Sequence, residues 1–352
     1  MNIKKLFESL NNFVKEVENE DWVINEGGLK APHLTGDVKL DPATVSKAVQ
    51  AYETAIKMFS SWLQENGYGP VELVGPVGST AYYKKDSREA PTTEYGDVDY
   101  LVNVPVAEEG RKAENAARRE YKDLLVQFLQ DVPEVGDFVN VEATIKTSPW
   151  LLIVKLPSGE HVQVDTILSH PKYKNWMQTR WSPERGLKGY TLGNLITALG
   201  TYFNMSIGDR GVAYRYDRDT GERVSSRKTG SPLKTVSTEA STFLIDMARD
   251  IAKSDDIELH PLLQQYSGLD PDDIRIGSLA LGIKGLALTL EMAGQLKDHK
   301  DMLNEILQRY ATGLAKNVES KKNRGTSDEM VDKLKVLNKK VYEIARKAFQ
   351  DG

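Results

Sequence analysis

The 352-residue chain contains no cysteine. Disulfide bonds, thiolate metal sites, iron–sulfur clusters and cysteine nucleophiles are therefore excluded. No run approaches the ~18 consecutive apolar residues of a membrane span. The opening residues, MNIKKLFESLNNFVKE, lack the apolar segment and cleavage site of a secretory signal peptide. These absences predict a globular protein of the cytoplasm with no membrane partner.

The chain also lacks an excess of positive charge. It holds 46 lysines and arginines against 51 aspartates and glutamates, a net charge of −5. The total therefore gives no support to a nucleic-acid partner, although a local basic face stays open. Hydrophobic residues make up 40% of the chain, enough for real cores, and its length predicts two domains at ~100–200 residues each.

The first domain is predicted over residues 1–175 as a compact α+β unit. Apolar residues recur at three- and four-residue steps after Asp41-Pro42, which predicts a long helix with Asp41 as its N-cap and its end at Gly67. The rest of the unit is predicted from residue composition and alternation. It comprises strands at 72–74, 97–104, 139–145, 150–156 and 161–168, with a helix at 108–131 and a turn at 157–160.

The second domain is predicted over residues 176–352 as mostly helical, from apolar periodicity and capping residues. The predicted helices are 189–206, 238–254, 273–297, 299–317 and 327–350. One segment, AYRYDRDTGERVSS at 213–226, alternates on both sides of Asp219-Thr220-Gly221 and predicts a surface hairpin.

Three aspartates are the strongest candidates for a functional site. Asp97 and Asp99 are two apart on one predicted strand, so both project from the same face. Adjacent carboxylates repel each other and are stable together mainly when a hard cation lies between them. Asp165 has the same alternation in a later strand. If the two strands are neighbours, the three carboxylates form a ligand set for two Mg²⁺ ions ~3.5–4 Å apart, as in phosphoryl-type transfer.

A possible phosphate-binding turn lies upstream, at Gly78-Ser79-Thr80. Glycine lets the backbone approach a phosphate closely, and the hydroxyls and amides that follow can hold its oxygens. Each signal alone has an ordinary structural explanation: a solvated carboxylate pair, a simple turn, or a polar position on a half-exposed strand. The order of all of them along the chain favours the functional interpretation.

This ordered run resembles the DNA polymerase β-like nucleotidyltransferase superfamily, over about residues 42–206. The segments that carry the resemblance are LVGPVGSTAYY, EYGDVDYLV and HVQVDTIL. The long preceding helix, the Tyr-Tyr pair and the helical second half are similar to the branch containing CCA-adding enzymes, oligoadenylate synthases and cyclic-oligonucleotide synthases. Ser79 and Asp97 are 18 positions apart, longer than is common there, so loop 80–96 is either a solvated insertion or a lid.

The resemblance implies a polymerase β-like core, with a mixed sheet and flanking helices, joined to the mostly helical lobe. Asp97 and Asp99 would bind both metals. Asp165 would bind the catalytic metal and help to deprotonate the attacking hydroxyl. Gly78 and Ser79 would hold the β- and γ-phosphates. The implied cofactor is two Mg²⁺ ions, for which Mn²⁺ can substitute.

The implied reaction moves a nucleoside monophosphate from a nucleoside triphosphate, ATP first among them, to a hydroxyl, with release of pyrophosphate. Lys188 is a candidate triphosphate contact and Tyr190 a candidate base-stacking ring. Both lie in a segment that is equally well interpreted as the entry to a helix.

The acceptor is predicted from a basic region at 212–236. Its candidate acceptor-binding residues are Arg215, Arg218, Arg223 and Arg227. They favour an RNA 3′ end, resembling that of tRNA. The alternatives are a second nucleoside triphosphate, giving a linear or cyclic oligonucleotide messenger, a protein or small molecule, and a non-catalytic RNA-binding scaffold. The five histidines have no zinc spacing and are predicted to be structural or surface groups.

Overall fold

The structure is a computed structural model that describes residues 38, 40–77, 80, 98–106, 111–168, 176, 189–208, 211–224, 231–270, 274–323 and 328–350. The described residues divide between positions 174 and 175 into two compact units. The described residues up to 168 are called the sheet unit, and those from 176 onward are called the C-terminal unit. The short amphipathic segment at the start of the chain predicts a helix, and this segment lies outside the described residues.

Helix α1, Pro42–Glu65, begins where its sequence predicts. The Asp41 Oδ1 accepts a hydrogen bond from the Thr44 N–H at 2.7 Å, which satisfies one of the unpaired donors of the first turn. The apolar stripe of the helix, which includes Tyr52 and Phe59, is buried. The chain leaves the helix at Gly67, whose φ of +81° favours glycine. The prediction of this helix is confirmed.

The sheet unit contains one mixed, four-stranded sheet with the order β1-β2-β4-β3. Strands β2 and β4 are parallel, and the outer pairs β1–β2 and β3–β4 are antiparallel. Helix α2, Arg111–Asp131, and helix α1 share a hydrophobic core with one face of this sheet. The α+β class is confirmed. The strands are β1, Glu72–Val77; β2, Val98–Asn103; β3, Leu151–Lys155; and β4, His161–Leu168.

The prediction of a strand at 139–145 is wrong, because this segment forms helix α3, Val141–Thr147. The Asn140 side chain accepts from the Ala143 N–H at 3.1 Å and caps the helix. The buried Thr144 hydroxyl accepts from the Ile153 N–H at 3.0 Å, which attaches the helix to β3. The cap and this tertiary contact outweigh the β-branched residues that suggested a strand. The hairpin that joins β3 to β4 is confirmed.

The C-terminal unit contains a second sheet, which the sequence predicted only in part. Strand β6 pairs with β5, β7 and β8, and every pair is antiparallel. The β6–β7 pair confirms the hairpin predicted at 213–226. The helix predicted at 189–206 is too long, since its last residues form β5. The strands are β5, Met205–Gly208; β6, Gly211–Tyr216; β7, Arg223–Val224; and β8, Leu233–Ser237.

Six helices complete the C-terminal unit as the structure describes it. Helix α7 is buried along most of its length and packs closely on α6. A Cβ added at Gly285 of α7 would lie 2.4 Å from the Leu263 backbone nitrogen of α6. Among the described helices, none is long and apolar enough to cross a membrane. The helices are α4, Gly189–Tyr202; α5, Phe243–Ala252; α6, Pro261–Ser267; α7, Ile276–Met292; α8, His299–Asn323; and α9, Asp328–Gln350.

Candidate functional site

Asp99 and Asp165 are register partners in the neighbouring parallel strands β2 and β4. Side chains alternate between the faces of a strand, so partners in register project from the same face of the sheet. Both residues are half-buried. The sequence predicts a shared carboxylate site only if these two strands are neighbours. In the structure they are. Asp97, two residues before Asp99, lies outside the described residues.

The end of β1 lies beside Asp99. Val77, the last residue of β1, is the register partner of Asp99 on the antiparallel side of β2. Thr80 is fully buried, and its Oγ1 accepts a hydrogen bond from the Asp99 N–H at 3.2 Å. The chain is therefore held against Asp99 immediately before and after Gly78 and Ser79. Those two residues lie outside the described part, and their contact with phosphates stays a prediction.

Gln163 is a residue of this site to which the sequence assigned no role. It lies on the same face of β4 as Asp165 and is only 1% exposed. Its Nε2 donates to the Asp165 Oδ1 at 2.5 Å. A neutral donor on a ligating carboxylate fixes its orientation without adding charge. The period-two alternation of HVQVD was the available signal, since it puts the two side chains on one face.

The opposite face of the same strands is fixed to α1. The Tyr52 hydroxyl and the Thr166 Oγ1 are 2.7 Å apart, and the Tyr100 hydroxyl donates to the Glu53 Oε1 at 2.8 Å. The rings of Tyr52 and Tyr100 pack with centroids 4.9 Å apart. Burial raises the pKa of Tyr52, so its hydroxyl stays neutral. These contacts lock β2 and β4 together directly behind the carboxylates, which gives the site a rigid base.

The donor set of this site fits a hard divalent cation. Two carboxylates on neighbouring strands offer only oxygen ligands, which Mg²⁺ prefers. No lysine or arginine of the described residues is the register partner of either aspartate across β1, β2, β3 or β4. A cation between Asp99 and Asp165 would relieve the repulsion that their common face imposes.

A second group of possible ligands lies at the turn between α7 and α8, at Glu291, Asp298 and His299. Glu291 accepts from the His299 N–H at 3.2 Å and lies 2.9 Å from its Nδ1. Asp298 accepts from the Lys300 N–H at 2.8 Å. These bonds cap the start of α8 and explain the cluster without an ion.

Arg223 of the hairpin is paired within the chain. Its guanidinium donates to the carboxylate of Asp250 on α5 and lies 4.7 Å from the centre of the Tyr214 ring. Lys234 of β8 donates to the other oxygen of Asp250 at 2.9 Å. This hydrogen bond raises the pKa of Lys234. The cluster joins α5 to the second sheet, and it uses Arg223, one of the four candidate acceptor-binding arginines.

The structure describes only some of the other predicted ligands of the C-terminal unit. Arg215 donates from Nη1 to the Ser231 carbonyl at 2.8 Å. Arg218 is exposed at the hairpin turn. Arg227 and Lys188 lie outside the described residues. Tyr190 lies in the first turn of α4, and its side chain is outside the described part.

Comparisons of this chain with protein-family models, with curated proteins and with solved structures find no match.

Proposed function

We propose that the protein is a Mg²⁺-dependent nucleotidyltransferase with a polymerase β-like core in the sheet unit. The observation that carries the proposal is the register pairing of Asp99 with Asp165. It puts two carboxylates on one face of a mixed sheet, beside Val77, the last residue of β1 and the one that precedes the phosphate turn predicted at Gly78-Ser79. This combination brings a hard-cation site next to a turn suited to phosphate, which is what phosphoryl-type transfer needs.

In this proposal Asp97, Asp99 and Asp165 hold two Mg²⁺ ions, for which Mn²⁺ can substitute. The bound cations would supply charge neutralisation on the phosphates and a lower pKa for the attacking hydroxyl. Gln163 keeps the Asp165 carboxylate oriented, and Asp165 accepts the proton of the attacking hydroxyl. Thr80, the residue after Ser79, accepts a hydrogen bond from the Asp99 N–H, which holds this part of the chain beside the carboxylates.

The donor substrate is a nucleoside triphosphate, ATP first among them, in the cytoplasm where these nucleotides are abundant. The backbone amides of Gly78 and Ser79 hold the β- and γ-phosphates. Lys188 is the proposed further contact of the triphosphate and Tyr190 the proposed ring that stacks on the base. Pyrophosphate leaves as the nucleotidyl group moves to the acceptor hydroxyl.

The acceptor has two candidates. An RNA 3′ end is favoured by the four arginines of the basic region 212–236. Arg223 pairs with Asp250, and this observation favours the second candidate, another nucleoside triphosphate, which would give a linear or cyclic oligonucleotide. Arg218, which is exposed at the hairpin turn, provides a test that distinguishes the two candidate acceptors. RNA extension should need its charge, because backbone phosphates bind cations, whereas joining of free nucleotides should not.

The test incubates the full chain with each labelled nucleoside triphosphate and Mg²⁺, with and without total tRNA, and identifies the products. Asp99→Asn and Asp165→Asn should each remove nearly all product while the circular dichroism stays unchanged. Asp123→Asn, which removes a carboxylate from the exposed side of α2, is the matched control and should be fully active. Product formation that survives either aspartate variant, or EDTA, would refute the proposal.

A further inference from the structure

A small cavity of about 340 Å³ opens on the sheet unit. It lies on the face of the sheet opposite the carboxylates. Thr166 follows Asp165 in β4, and its side chain points to the other face, where it meets Tyr52 of α1. The cavity is lined by Arg118, Arg119, Lys122, Trp150, Thr166 and Leu168.

The lining of this cavity is strongly basic. Arg118, Arg119 and Lys122 are three or four residues apart or adjacent on α2, so they share one side of the helix. Among the described residues that line the cavity there is no carboxylate. Arg118 donates from Nη2 to the Leu168 carbonyl at 2.5 Å. This bond holds the guanidinium at the end of β4.

An aromatic ring forms the other wall. Trp150 is half-buried in the turn immediately before β3, and its backbone carbonyl accepts from the Thr166 N–H at 2.8 Å. The indole packs partly against the core of the unit, so the ring is held in place by the sheet. A fixed indole beside arginines is a surface on which a planar base can stack.

We propose that this cavity binds a nucleoside phosphate, with the phosphates on Arg119 and Lys122 and the base against Trp150. Arginine and lysine are the side chains that hold phosphate oxygens best. The volume lies at the lower end of the ~300–1,000 Å³ found for small-molecule sites, which suits one nucleotide rather than a strand. The site does not include Asp99 or Asp165, so its test does not depend on whether the proposed catalysis is correct.

The test titrates ADP and, separately, pyrophosphate into the full chain in EDTA, so that cation-dependent binding at the carboxylates is absent. Calorimetry measures the affinity. Arg119→Ala/Lys122→Ala should weaken ADP binding about tenfold or more, because two charge-assisted hydrogen bonds are lost. Lys47→Ala/Lys57→Ala is the matched control, since it removes two exposed lysines of α1. It should leave the affinity for ADP unchanged. Equal losses in both double variants would overturn the site.

The ring is tested by Trp150→Leu. It should weaken ADP binding about fivefold or more through lost stacking, and it should leave pyrophosphate binding unchanged. Trp150→Phe keeps a ring, should fold in any case, and should bind ADP nearly as the original chain does. ADP affinity that does not exceed pyrophosphate affinity would overturn the nucleotide assignment. Displacement of ADP by a single-stranded RNA at a concentration below the Kd of ADP would also overturn it, since the surface would then be a binding site for a polynucleotide.

Discussion

Asp99→Asn should stabilise the protein when no divalent cation is present and should reduce the stabilisation that Mg²⁺ gives. Asp99 and Asp165 are register partners in parallel strands, and such strands lie about 4.8 Å apart. Their carboxylates project from one face, so the negative charges repel each other when no cation separates them. Asparagine keeps the shape of the side chain and removes its charge.

The size of this effect follows from Coulomb's law. Two unit charges about 5 Å apart repel by about 3 kcal/mol at an effective dielectric constant of ~20, and by about 1 kcal/mol at the value of bulk water. Both side chains are half-buried, and the hydrogen bond from Gln163 offsets part of the cost at Asp165. We therefore expect the cation-free variant to gain about 1–2 kcal/mol, a rise in Tm of roughly 2–8 °C.

Calorimetry in EDTA and over a series of Mg²⁺ concentrations measures both parts of the prediction. The Tm of the original chain should rise with Mg²⁺, because the cation binds only the folded state. The Asp99→Asn variant should start higher and rise less. Asp123→Asn, on the exposed side of α2, should follow the original chain. If Asp99→Asn has the Tm of this control in EDTA and the same response to Mg²⁺, the reasoning from strand register to cation site is wrong.

Three further predictions concern other residues. Gln163→Met keeps the buried volume but removes the hydrogen-bond donor to Asp165. The affinity for Mg²⁺, measured by titration, should fall about tenfold, and the circular dichroism should not change. An unchanged affinity would show that Gln163 is not part of the site. Gly285→Ala should lower the free energy of unfolding in urea by about 1–3 kcal/mol, because the new Cβ would lie 2.4 Å from the Leu263 backbone nitrogen. In the control Gly136→Ala the new Cβ has no atom within 4 Å, and the free energy of unfolding should be nearly unchanged. The pKa of His260 is lowered by burial and then by Lys284 and His299, so the unfolded state binds the proton more readily than the folded state. The free energy of unfolding should therefore fall as the pH drops below about 6.5. His260→Asn, which can still cap α6, should flatten this pH dependence.

Local signals in the sequence were sufficient for the long helix and for the strands of the first sheet. Asp41, Pro42 and the apolar period specify α1 completely, because a cap and a buried stripe act within one segment. They were insufficient at 141–147. That helix is short and rich in β-branched residues, and it is fixed by the Thr144 contact with Ile153 of β3, which no local pattern contains.

The candidate site shows the same division. Alternation within each strand predicted which face Asp99 and Asp165 occupy, but their register depends on the pairing of strands far apart in the chain. The hairpin shows the converse. Alternation predicted β6 and β7, yet the pairing of Arg223 with Asp250 depends on how α5 packs on the second sheet. Composition alone therefore overstated the number of arginines available to an acceptor.

The parallel pairing of β2 with β4 has a consequence for recognising or redesigning related chains. Residues 104–150 between these strands can lengthen or shorten as loops and helices without moving Asp165 off its face. A single insertion within β4 before Asp165 cannot be absorbed in this way, because it would turn the carboxylate toward α1 and put an apolar side chain in its place. The quantity to hold constant is thus the register of Asp165 against Asp99, rather than the length of chain between the two carboxylates.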